Sequence, residues 1–201
     1  MSAAGHCLLV TAHPLADSLC ASLAAQARQA LEAAGHRVVV EDLYAGGFSP
    51  ALSADERRSY YAGHFDASGV QAEIERLRAA ESLVLVFPTW WFGFPAMLKG
   101  WFDRVWAPGF AYDHARDLGA IQPRLTQLKR AMAVTTMGSP WWVDRLVMRQ
   151  PVRRVLKTAL LGTCAPQARF EMLSLHRAER LSPEQVQRFA QRMTATLRAW
   201  R

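Results

Sequence analysis

Three short stretches hold the side chains that could do chemistry. His13-Pro14-Leu15-Ala16-Asp17-Ser18 follows an apolar run and leads into a helical pattern, with Asp17 or Ser18 placed to cap it. Free backbone N–H groups and the positive end of a helix dipole at such a turn suit a phosphate or pyrophosphate. Phe87-Pro88-Thr89-Trp90-Trp91-Phe92-Gly93-Phe94 is too aromatic for an ordinary solvated turn. It offers an apolar wall, and backbone donors for the edge of a flat conjugated ligand. Thr135-Thr136-Met137-Gly138-Ser139 adds two hydroxyls and a tight turn. No Ser/His/Asp arrangement and no pair of carboxylates falls in these stretches, which argues against nucleophilic or acid–base catalysis. The sequence has no GxGxxG and no GxxxxGK[ST], so neither the Rossmann fingerprint nor a P-loop applies.

Alternating strands and helices must position these stretches. Cys7–Ala12 and the continuous apolar run Ser82–Phe87 read as strands buried on both faces, and His36–Leu43, Arg130–Thr136 and Ala168–Leu175 complete a set of five. Between them, Cys20, Leu23, Ala27 and Leu31 mark one helix, stopped by Gly35. Leu98, Trp101, Phe102 and Val105 mark another, with Lys99 and Asp103 off its apolar face. Ser182-Pro183-Glu184-Gln185 is a strong start for a last helix striped by Val186, Phe189, Met193 and Leu197. Tyr44–Gly69 and Pro108–Gln127 read as long irregular excursions, and a helix begins or is interrupted near Pro151. The pattern predicts a single α/β domain over residues 1–201, a three-layer fold around a five-stranded parallel sheet, and precedent for this length and alternation gives the strand order 2-1-3-4-5. In that order the three chemistry-bearing loops leave the carboxyl ends of the three central strands, where α/β sheets bind ligands. A redox-active isoalloxazine, needing only to be held, tuned and stacked upon, fits such parts.

Composition narrows the classes. The chain has 201 residues, 51% of them hydrophobic and 20% charged, which describes a folded globular protein. Its three cysteines are scattered, without a disulfide framework or metal-ligand spacing, so a reducing compartment and no metal are expected. No signal peptide and no membrane span is visible, and a cytoplasmic location is expected. The net charge of +7 suits anionic partners, but no nucleic-acid motif accompanies it, and the stripe Arg149, Arg153, Lys157 reads as a solvated helix face. No nucleic-acid partner is expected.

FPTWWFGFPAMLKGWFDRVWAPGFAY resembles the signature of the flavodoxin-like NAD(P)H:quinone oxidoreductases, the DT-diaphorase family with its bacterial relatives, and LLVTAHPLADS and VTTMGS match in the same order. The resemblance implies a homodimer binding flavin noncovalently at the subunit interface, reduced by NAD(P)H and reoxidised by a quinone or similar aromatic acceptor in ping-pong fashion. It implies that His13, Ser18, Leu19 and Cys20 hold the flavin phosphates. Pro88, Thr89, Trp90, Trp91 and Phe92 would line the isoalloxazine, and Thr135, Thr136 and Gly138 would close its other edge. Tyr112 would reach over from the partner subunit, and with Trp91, Phe92 and His114 makes up the catalytic candidates. FAD is the expected flavin, FMN the alternative. This sequence departs from the family at Cys20, where asparagine is frequent, at Trp90, where glutamine is common, and at Met137, which replaces a glycine. The other role implied is an ancillary subunit of a potassium-efflux transporter.

Overall fold

The structure is a computed structural model that describes residues 5–114 and 120–200. Its centre is a run with no polar face: all seven residues of strand β3 (Ser82–Pro88) are buried. Such a strand must lie inside a sheet covered by helices on both sides. It pairs in parallel with β1 (His6–Thr11), and β1 pairs with β2 (Arg37–Asp42) at one edge. On the other side β3 pairs with β6 (Arg130–Met137), which pairs with β7 (Arg169–His176). The five-stranded order is therefore β2-β1-β3-β6-β7, the predicted 2-1-3-4-5 once a two-stranded hairpin, β4 (Tyr112–Asp113) with β5 (Gln122–Pro123), is set aside.

Two hydrophobic layers close the sheet. Cys20, Leu23, Ala27 and Leu31 of α1 (Leu19–Ala33) and Met193 and Leu197 of α7 (Pro183–Arg198) pack on one face. Ile74 and Leu77 of α3 (Gln71–Ala79) and Leu98, Trp101 and Val105 of α4 (Ala96–Val105) pack on the other. Each long helix starts where the sequence signals it. Ser18 Oγ accepts from the Ala21 N–H, and Ser182 forms a capping box with Gln185. The segment after β6 departs from simple helix. Residues Val143–Val147 are π-helical, and α5 (Pro151–Arg154) continues through a second π-helical stretch, Val155–Leu161, into a last turn α6 (Gly162–Cys164).

The excursion 44–69 carries the short helix α2 (Ala54–Ser59) and is strapped along α4 rather than left loose. Arg104 of α4 reaches Glu56 through Nε (2.9 Å) and donates through Nη1 to the Ser49 carbonyl (2.6 Å), and the Tyr60 hydroxyl donates to the Asp103 carbonyl. The closest approach is at Gly100, where an added Cβ would stand 2.1 Å from the Pro50 carbonyl oxygen. A second buried tie crosses to the sheet: Trp101 Nε1 and Arg76 Nε both donate to Glu41, at 2.6 and 2.7 Å.

Gly100→Ala is expected to lower unfolding stability by roughly 1–3 kcal/mol, because backbone must move to admit the methyl group; urea denaturation reads this. The strap also sets a pH dependence. Burial works against ionisation of Glu56, but hydrogen bonds from Arg104 and Ser53 and the guanidinium charge outweigh it and hold the carboxyl below its ordinary range. Its contribution is therefore fully present above the ordinary carboxylate range and lost as pH falls through the folded-state value. Glu56→Gln should flatten that acidic limb of the stability curve and leave its neutral shape unchanged.

Candidate functional site

The carboxyl ends of β1, β3 and β6 come together, and the loops that leave them are stitched to one another. The Thr89 N–H donates to the Thr136 carbonyl (2.7 Å), and the Thr89 and Thr135 hydroxyls share a 2.6 Å bond. Cys20 Sγ and Thr136 Oγ1 lie 3.4 Å apart, and the His13 ring tilts on Trp90 at 6.2 Å. The three stretches singled out in the sequence thus form one surface.

At the first loop, Ser18 caps α1 and leaves the N–H groups of Leu19 and Cys20 without a partner among the described residues. These donors and the helix dipole make a place for a phosphate. His13 Nδ1 accepts the Leu15 N–H at 3.1 Å. In the neutral imidazole its proton then sits on Nε2, which can donate. The Cys20 side chain does not face this place; it is buried on Thr136, and burial pushes its thiol up, so it is no nucleophile. Only its backbone is offered to a ligand.

The second loop is a two-residue turn. Trp90 N–H donates to the Gly93 carbonyl (3.3 Å) and Gly93 N–H returns to Trp90 (2.8 Å), with Trp91 at φ 50° and Phe92 at φ 56° between them. Positive φ at both central positions is the type I′ arrangement, normally given to Gly, Asn or Asp. For large aromatic residues it costs about 1–2 kcal/mol each. Core packing does not repay that cost at Trp91, whose residue is 100% exposed. Strain held against this gradient is a mark of a functional position. Trp90 is also exposed, at 42%, while Pro88 and Thr89 lie at the strand end.

The third loop contributes differently from what its residue types suggest. The Thr135 hydroxyl is buried on Thr89 and the Thr136 hydroxyl on Cys20, so these side chains tie the loops together rather than face the crevice. What the loop offers is backbone at Thr136 and Met137 and the exposed Gly138. Beside Gly138, Arg177 and Arg180 line a cavity of about 320 Å³ with Pro140 and Glu179, and neither arginine has an ion-pair partner among the described residues. The Ser139 Oγ, between two of the lining residues in sequence, is buried without a hydrogen bond among the described residues. Next to them His176, the last residue of β7, bonds through Nε2 to the buried Asp144 at 3.1 Å. Sequence reasoning passed over all of these, because HRAER after a strand looks like any charged loop.

Tyr112 and His114 lie apart from this cluster. Their ring contacts are with each other (5.3 Å, edge-on) and, for His114, with Tyr61 (4.9 Å, stacked).

The comparisons with known proteins agree with this geometry. A family model described as a flavodoxin-like fold matches residues 5–200. The rat protein named NAD(P)H dehydrogenase [quinone] 1 is 35% identical over 151 residues, covering 66% of this chain and 53% of its own. The chain spans about half the length of the curated relatives it matches first. Among solved structures, an NAD(P)H:quinone oxidoreductase from Methanothermobacter marburgensis superposes with a TM-score of 0.84 at 28% identity, covering 98% of this chain and 96% of its own. General stress protein 14 from Treponema denticola, in complex with FMN, gives 0.62 at 25%, covering 98% and 99%.

Because Trp91 adds strain without burial, Trp91→Gly is expected to stabilise the ligand-free protein by about 0.5–1 kcal/mol, the relief of strain less the entropy glycine adds to the unfolded chain. Its thermal midpoint should rise by roughly 1–4 °C. A fall would show that the indole is packed.

Proposed function

Since the chain belongs to the flavodoxin-like fold family matched over residues 5–200, we propose that it is a flavin-dependent NAD(P)H:quinone oxidoreductase. The observation that carries this reading is the strained turn at the end of β3, which holds Trp91 and Phe92 in place against their own backbone preference. The relatives named above as NAD(P)H dehydrogenase and NAD(P)H:quinone oxidoreductase support it, and no observation favours docking on a transporter.

The residues present fit a flavin nucleotide. The free N–H groups of Leu19 and Cys20 and the Nε2 proton of His13 suit its phosphate, and the aromatic turn and Gly138 suit the two sides of a flat ring system. When bound, the flavin supplies two-electron chemistry, and the net change turns NAD(P)H, one proton and a quinone into NAD(P)⁺ and a hydroquinone. The protein's own work is positioning: hydride transfer needs the donor and acceptor atoms roughly 3–3.5 Å apart. Trp91 and Phe92 shape the face on which NAD(P)H and quinone take turns. Tyr112 and His114, which lie apart from the three loops of their own chain, are assigned to the border of the acceptor in a second copy of the chain.

FAD is the flavin we assign. FMN ends at its single phosphate, whereas the second phosphate and adenosine of FAD need a further cationic place. The cavity beside Gly138 supports it, where Arg177 and Arg180 outnumber the Glu179 carboxylate that shares the lining. A second copy of the chain completes the site. Trp141, Trp142, Leu146, Val147 and Met148 are large apolar residues exposed along one short segment, and such a cluster calls for a cover. A cytoplasmic setting fits three free, buried cysteines. Among the described residues no helix is long and apolar enough to cross a membrane.

Heat release and chromatography of the bound cofactor should give FAD, and the holoenzyme should reduce menadione with NADPH or NADH. Arg180→Ala should weaken FAD at least about ten-fold while leaving FMN affinity unchanged. Equal losses for both flavins would remove the FAD assignment. A protein that stays colourless after loading with either flavin, and oxidises no NAD(P)H, would remove the whole reading.

A further inference from the structure

Away from the three loops lies an open cavity of about 730 Å³. Tyr60, Tyr61, His64 and Phe65 of the strap form one side, and Phe110 and His114 lie on the other. The acidic and basic lining side chains, Asp113 and Arg124, are paired at 2.7 Å and neutralise each other. Rings thus dominate the lining, and no uncompensated carboxylate or guanidinium asks for a charged ligand. At the mouth a column of side chains runs outward. His114 meets Tyr112 edge-on, Tyr61 stacks on His114 at 4.9 Å and 28°, and the Arg57 guanidinium lies 5.1 Å over Tyr61. Tyr61 is 71% exposed, so this stack, rather than the core, fixes its ring.

We propose that this cavity receives the apolar or aromatic substituent of the quinone, so that the acceptors preferred by the enzyme are bulky substituted quinones rather than minimal ones. The inference rests on the reading above, in which Tyr112 and His114 border the acceptor. His114 also lines the cavity, so the assigned acceptor border and the cavity share that residue. The volume lies in the range of pockets that enclose ligands much larger than a single ring. A lining dominated by rings suits an apolar or aromatic group, and Tyr61 with His64 would hold it at the entrance. If the cavity holds the substituent equally in ground and transition states, its contacts change KM and leave kcat alone.

The test compares menadione with a naphthoquinone bearing a prenyl or aryl substituent, using the flavin-loaded holoenzyme. Wild type should show the lower KM for the substituted compound. Tyr61→Ala, at an exposed position that tolerates change, should raise that KM by about three- to ten-fold, the size of a lost aromatic contact. Tyr61→Phe should restore it, and His64→Trp, which fills the entrance, should raise it again. Menadione KM, kcat for both quinones, and the rate of flavin reduction by NADPH should hold steady in all three variants. Quenching of tryptophan fluorescence by each quinone, without NADPH, should give the same order of affinities. An unchanged KM for the substituted quinone in both Tyr61→Ala and His64→Trp, or a Tyr61→Phe as impaired as Tyr61→Ala, overturns the proposal while the oxidoreductase reading stands. A wild type that reduces neither quinone overturns that reading, and the quenching measurement then decides by itself whether the cavity binds the substituted ring.

Discussion

The site depends on a stitch just past the end of the sheet. Where the β3–β6 ladder ends, the Thr89 N–H still reaches the Thr136 carbonyl, and the half-buried Thr89 hydroxyl closes on the buried hydroxyl of Thr135. A buried hydroxyl such as that of Thr135 must stay satisfied or bear a desolvation cost of about 1–3 kcal/mol, so the two loops cannot separate cheaply. Cys20 Sγ on Thr136 Oγ1 brings the first helix into the same arrangement. The threonines therefore do not greet the ligand. They set the spacing among three backbone segments whose N–H groups and turns do.

This rigidity lets the turn at Trp91 and Phe92 exist. A type I′ turn built from two bulky residues would relax if either flank could slide. One flank is held by the stitch. The other runs through Pro95 into α4, which the strap clamps through the Gly100–Pro50 approach and the Arg104–Glu56 pair. Both partners of that pair are almost entirely buried, and the desolvation of two charges makes it a poor source of net stability. Its use is specificity: removing either partner would strand a charge, so the strap has one register on α4. The same strap carries Tyr60, Tyr61, His64 and Phe65 to the cavity wall, linking the cavity's shape to the stiffness of the turn.

Much of this arrangement was legible in the sequence, for a simple reason. A run such as Leu83–Phe87 without a polar residue, short and stopped by Pro88, suits a strand buried on both faces, and Ser18, Gly35 and Ser182 mark helix ends by local chemistry that needs no partner far away. The order 2-1-3-4-5 then puts the three odd loops at one crevice. What could not be read were pairings across long separations. Periodicity reports that Arg104 and Glu41 face inward or outward, not that each finds a particular partner 48 or 60 residues away. The threonines look like ligand contacts in the sequence because hydroxyl type says nothing about the direction in which it points. Arg177 and Arg180 escaped for the opposite reason, since unpaired arginines in a loop are commonplace until the fold sets them beside Gly138. Nor does any local signal distinguish the π-helical turns of Val143–Val147 and Val155–Leu161 from ordinary helix.

The distribution of exposed rings bears on the proposed pairing of two chains. Trp90 and Trp91 stand in solvent at the crevice, whereas Tyr112 and His114, the other rings assigned to the acceptor, are turned toward Tyr61 and make no ring contact with the three loops among the described residues. A single chain therefore offers a floor for a flat ligand at one place and an acceptor border at another. Strained and exposed, Trp91 gains from being covered, and so do Trp141, Trp142 and Leu146. The isologous pair proposed above would satisfy both needs in one step: each copy's border would meet the other's floor, and the apolar segment would lose its water. On this logic the strain in the turn would be balanced across the proposed dimer rather than within the fold. Removing it should then favour the isolated chain and weaken the assembled site.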